Sequence, residues 1–113
     1  MTHYNRKQII AFLIKAKQLL QSGRYTFVNR RKSLNSLMQY GISIEEVKNE
    51  IMDLTVKDYH SGPLMDDDLR RMGEIWIFKK EINHTVFYIK FSLDSLEDGE
   101  FLKCVSFHED GME

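Results

Sequence analysis

The sequence holds a single cysteine, Cys104, among its 113 residues. No intramolecular disulfide can form, which excludes a disulfide-stapled secreted scaffold and makes a reducing, cytoplasmic compartment the expectation. Long apolar runs are missing too. The longest, Ile9-Ile-Ala-Phe-Leu-Ile14, stops at Lys15, far short of the roughly 20 residues that span a bilayer, so no membrane association is expected. The N-terminus also lacks the layout of a cleaved signal peptide. There are no internal repeats or low-complexity tracts, no glycine-rich phosphate loop and no nucleophile elbow. No two of the four histidines share a metal-ligand spacing. The run Asp66-Asp-Asp68 cannot turn three consecutive carboxylates onto one ion and reads as solvated loop, so no metal or other cofactor is expected. Acids are absent from the first 42 residues, which carry eight Lys/Arg; the other eight Lys/Arg stand among all 17 Asp/Glu. A formal net charge of −1 thus hides a first part at +8 and a remainder at −9. Such a separation offers a basic surface for phosphates beside an acidic one for another partner. Mutual neutralisation across the fold is the blander alternative.

A chain of this length with 42% hydrophobic residues suits one compact domain over residues 1–113. Asn5 with Gln8 resembles a capping box, and Ile9, Leu13, Ala16 and Leu20 recur at helical spacing, predicting an amphipathic helix over 6–22 that ends at Gly23. A short β-like stretch covers 24–28. Leu34, Leu37 and Met38 predict a second helix over 30–40, stopped by Gly41. Ser43 and Glu46 form a stronger capping box, with Ile42 and Val47 as a hydrophobic staple, and Val47, Ile51 and Leu54 supply the buried face of a third helix. From Asp58 to Gly73 periodicity fails, which predicts a long connection. Three strand segments follow, 74–79, 87–93 and 103–108. Asn83-His84 makes a hairpin turn between the first two, and Asp94 to Glu100 reads as a polar loop before the last.

In the middle segment Phe87, Ile89, Phe91 and Leu93 point to one side, and Val86, Tyr88, Lys90 and Ser92 to the other. If the last segment pairs beside it, Ser106 and His108 join Tyr88 and Lys90 on one face. Cutting RNA needs a group to take the 2′-OH proton, positive charge for the phosphorane-like transition state and a donor for the leaving 5′-oxygen. Tyr88, Lys90 and His108 are the catalytic candidates. The bland reading is a half-buried aromatic, a solvated edge lysine and a structural histidine. Arg30-Arg31-Lys32 stands at the start of the second helix, where cations oppose the macrodipole and ask for an anion. Arg24, Lys79 and Trp76 complete the RNA-contact candidates, with Trp76 a core residue first and a base-stacking platform second.

The ordered elements Arg31-Lys32, Leu37, Tyr40-Gly-Ile42, Glu46, Ile51, Leu54, Asp58-Tyr59, Gly62-Pro63, Asp66, Gly73, Trp76-x-Phe78, Tyr88-Ile-Lys90 and Ser106-Phe-His108 resemble the MqsR-type toxins of bacterial toxin–antitoxin systems. The resemblance runs from about Phe27 to His108. It implies a RelE-like α+β fold: a twisted antiparallel sheet with N-terminal helices packed on one face. It further implies metal-independent mRNA cleavage and a cognate antitoxin, expected to be a helix-turn-helix protein. The family's catalytic strand tyrosine falls on Tyr88, with Lys90 beside it, and the residue after Ser-Phe falls on His108. The founding branch has lysine at that last position, a loop lysine where this chain has Ser61, and a glutamine where it has Ile77. With these departures either the site is rebuilt around His108, the favoured expectation, or activity is weak or lost. A non-catalytic RNA- or protein-binding regulator of the same fold is the alternative function.

Overall fold

The structure, a computed structural model, describes residues 6–65 and 73–111. Asn5 and the acidic run Asp66–Asp68 lie outside the described residues. Three helices come first, α1 (Arg6–Gln21), α2 (Arg31–Tyr40) and α3 (Ile44–Met52), with strand β1 (Tyr25–Phe27) between the first two. A 3-10 turn at Val56–Asp58 leads into β2 (Tyr59–Met65), β3 (Gly73–Ile82), β4 (Thr85–Leu96) and β5 (Gly99–Glu109). The five strands form one sheet in the order β1-β5-β4-β3-β2. Neighbours run antiparallel except at one edge, where β1 pairs parallel to β5. No helix among the described residues is long and apolar enough to cross a membrane.

Local chemistry sets the helix ends. Gly41 closes α2 at φ +66°, and the following Ile42 N–H donates back to the Leu37 carbonyl, the six-to-one bond of a left-handed cap. At α3 the Glu46 N–H donates to Ser43 Oγ and the Ser43 N–H to Glu46 Oε1, both at 3.0 Å. Ile42 and Val47 are buried on either side, so both capping box and staple form as the sequence predicts.

The core lies between the helices and one face of the sheet. Phe12 of α1 stacks on Trp76 with ring centroids 4.3 Å apart and also meets Phe78 and Phe91. From β4, Phe87, Ile89, Phe91 and Leu93 face inward, as alternation requires. α2 departs from its sequence reading. Leu37 is buried, but Leu34 is exposed and Met38 is 82% exposed, while Ser33 and Ser36 are enclosed. The inward face of this helix is polar because it packs against the side of β5 and meets backbone N–H groups there.

Two stretches predicted as loops are strands. Residues 59–65 form β2 against β3, with register shifts between Tyr59 and Ser61 and between Ser61 and Leu64, and a cis Gly62–Pro63 bond. Those irregularities erase the period-two pattern that marks a strand in sequence. Gly62 sits so close to β3 that an added Cβ would lie 2.5 Å from the Ile75 carbonyl oxygen. Likewise Asp94 and Ser95 pair with Phe101 and Glu100, extending β4 and β5 to a tight turn at Glu97-Asp98. Asp94 is tolerated there because Lys103 Nζ pairs with it at 3.1 Å and Ser92 Oγ donates to it at 2.5 Å.

Candidate active site

β4 pairs with both of its neighbours in a register that assembles two rows across the outer face of the sheet. Lys79, Tyr88 and His108 are successive cross-strand partners on β3, β4 and β5, and Ile77, Lys90 and Ser106 form the next row. A bulge makes this possible. Phe91 pairs with Cys104 but Lys90 pairs with Ser106, leaving Val105 as the extra residue in β5. Leu102, Cys104 and Phe107 are all buried in the core, which strict alternation from residue 102 to 107 would forbid. The bulge changes the phase, so that Phe107 faces inward while Ser106 and His108 face Lys90 and Tyr88.

α2 closes one side of this face. Arg30, Arg31 and Lys32 at its N-terminus, with Tyr88, Lys90, Ser106 and His108, line a cleft of about 480 Å³. Arg30 Nη1 donates to Ser106 Oγ at 3.4 Å. Among the described residues, the cleft lining holds four cationic side chains and no carboxylate. Arg30 occupies the N-cap position without a side-chain cap, and no acid lies in the first helical turn. Cations at a helix N-terminus oppose the macrodipole by about 0.3–1 kcal/mol each, whereas an anion would be held by both charge and backbone N–H groups.

His108 forms the floor of the cleft. It is 4% exposed, its ring lies against Tyr88 with centroids 5.1 Å apart and planes 18° from parallel, and its Nδ1 is 2.9 Å from the Glu109 carbonyl oxygen. A carbonyl can only accept, so Nδ1 carries the proton and, in the neutral ring, Nε2 is the bare nitrogen. In that neutral tautomer Nε2 is the nitrogen able to accept a proton.

Of the proposed RNA contacts, Arg30, Arg31 and Lys32 lie in the cleft, and Lys79 stands beside Tyr88 in an ion pair with Asp110 at 3.3 Å. Arg24 does not belong with them. It lies near the opposite end of β5, where its guanidinium pairs with Asp98 at 3.0 Å and its Nε donates to the Glu100 carbonyl at 2.7 Å. Trp76 lies away from the cleft, buried against Phe12 on the other side of the sheet. Among the described residues, no three His, Cys, Asp or Glu side chains converge as a metal-binding group. Ser61 and Ile77, two of the three departures from the founding branch, are cross-strand partners, and Ile77 in turn pairs with Lys90.

Sequence reasoning missed the buried pair Ser33 and Ser36. Their signal is present: Ser33, Ser36, Leu37 and Tyr40 recur at positions i, i+3, i+4 and i+7, one continuous helix face. A search for apolar residues passes over it. A family model described as "Motility quorum-sensing regulator, toxin of MqsA" matches residues 10–109. A comparison with curated proteins returned no match.

Proposed function

The chain belongs to the MqsR toxin family, whose members are paired with the antitoxin MqsA, and on that premise we propose that it is an mRNA interferase that cuts RNA without a metal ion. The observation that carries this reading is the convergence, in one cleft, of His108, its Nδ1 committed to the Glu109 carbonyl, and of four cationic side chains. His108 takes the proton of a 2′-OH, the 2′-oxygen attacks the adjacent phosphorus, and the bond to the 5′-oxygen breaks as that oxygen takes a proton from water, the imidazolium returning its own to solvent. The products are a 2′,3′-cyclic phosphate and a 5′-hydroxyl. Lys90 and Arg30 balance the charge that builds on the non-bridging oxygens, where preorganised donors act most strongly. Tyr88 holds the imidazole plane by stacking. Arg31 and Lys32 bind the neighbouring backbone.

The native protein is expected to cut single-stranded RNA in EDTA and to leave cyclic phosphate ends. His108→Ala should lose about 10²–10⁴ in rate, the usual worth of general acid–base catalysis. A folded His108→Ala protein cutting at the native rate would overturn the assignment, and a 5′-phosphate product would overturn the mechanism. In bacteria, expression alone should arrest growth, and a cognate helix-turn-helix antitoxin should restore it.

A further inference from the structure

β1 ends at Phe27, opposite Cys104. Beyond that point no strand among the described residues pairs with β5 on this side, yet its next outward N–H groups are satisfied. Phe107 N–H donates to Ser33 Oγ at 3.0 Å and Glu109 N–H to Ser36 Oγ at 3.1 Å. α2 thus completes the ladder with side chains where a sixth strand would have used carbonyls. Serines within a helix commonly turn back to their own carbonyl four residues earlier; these two instead bond outward and are enclosed.

The second bond leads to the proposed base. Glu109 is gripped from two sides: Ser36 accepts from its N–H, and the next peptide N–H, of Asp110, donates to the Val86 carbonyl at 2.9 Å. These bonds orient the Glu109 carbonyl, which accepts from His108 Nδ1. Ser36 also stands on the helix whose first residues carry the phosphate-binding cations.

We propose that Ser36 is a positioning residue of the site: by fixing Glu109 it holds His108 in the Nδ1-protonated tautomer and keeps the base in one frame with Arg30, Arg31 and Lys32. Its catalytic consequence rests on the ribonuclease reading, but its structural part does not. Long-range ¹H–¹⁵N spectra of the His108 ring above its titration range report the tautomer directly. In the native protein Nδ1 should show the shift of a protonated nitrogen and Nε2 that of a bare one. In Ser36→Ala both should move towards a common average. Turnover of RNA should fall about tenfold to a hundredfold, the scale of a misplaced group, with KM changed less than twofold because the cations remain. Ser36→Thr, which keeps the hydroxyl, should restore both readouts towards native. If Ser36→Ala does not fold, Ser36→Cys, similar in size but a weak acceptor, takes its place. An unchanged tautomer and unchanged turnover in the folded variant overturn the proposal. A native protein that cuts no RNA overturns the ribonuclease reading instead, and the tautomer comparison then decides the role of Ser36 separately.

Discussion

Replacing Arg30, Arg31 and Lys32 together with Ala tests whether the cleft binds a nucleic-acid backbone. Four cations line it, and each phosphate contact to a single strand contributes about 0.7 to the slope of log affinity against log salt. With one phosphate per cation, the slope is roughly −2.8 in the native protein and about −0.7 once Lys90 alone remains. From about 50 to 200 mM salt, native affinity should therefore fall roughly 50-fold and that of the variant less than about threefold. Fluorescence anisotropy with a 2′-O-methyl RNA measures binding without cleavage. All three side chains are exposed, and alanine is the best helix former while cations at that end oppose the dipole, so the melting temperature should hold or rise. Arg24→Ala is the control, since Arg24 is committed to Asp98 and Glu100 near the other end of β5; its slope should match the native one. An unchanged slope in the triple variant would refute the reasoning and assign the cluster to solubility or to a protein partner.

Other consequences concern the fold. Hydrogen bonds from the Ser43 backbone and then its hydroxyl hold the Glu46 carboxyl below its usual range, so this cap's contribution should be present above the unfolded carboxyl value and fade as pH falls through the lower folded one. Ser43→Ala should cost about 1 kcal/mol in urea unfolding at pH 7 and bring the Glu46 titration, followed by NMR, only part of the way back towards normal, because the backbone N–H remains; an undisturbed titration would exclude the hydroxyl as a contributor. Tyr25 has a buried hydroxyl without a hydrogen-bond partner among the described residues, and leaving such a group unpaired costs about 1–3 kcal/mol, so Tyr25→Phe should leave stability equal or higher, and a clear loss would reveal a partner. Cys104 is fully buried, and burial pushes its thiol far up; a thiol reagent should therefore modify it only as fast as the protein opens, and rapid labelling under native conditions would contradict the core packing.

The sequence by itself determined the elements whose signals are local. The caps at Gly41 and Ser43, the turn at Asn83-His84 and the alternation of β4 all follow from bonds or steric limits within a few residues. From these, Tyr88 and Lys90 could be placed on the face opposite the core. The proximity of His108 was a conditional expectation, because it depended on a partner strand far away in sequence. Only the tertiary structure decided that β5 carries a bulge at Val105, without which Ser106 and His108 would share the phase of Leu102 and Cys104 and turn into the core. It also decided that β2 is a strand, through pairing that its own irregular pattern conceals, and that Arg24 belongs to the far turn while Arg30 belongs to the cleft. Charge and residue type are the same for those two arginines. What separates them is the path of the chain, β1 running alongside β5 and α2 taking its place, and that path is set by long-range hydrogen bonds that no short window of sequence contains.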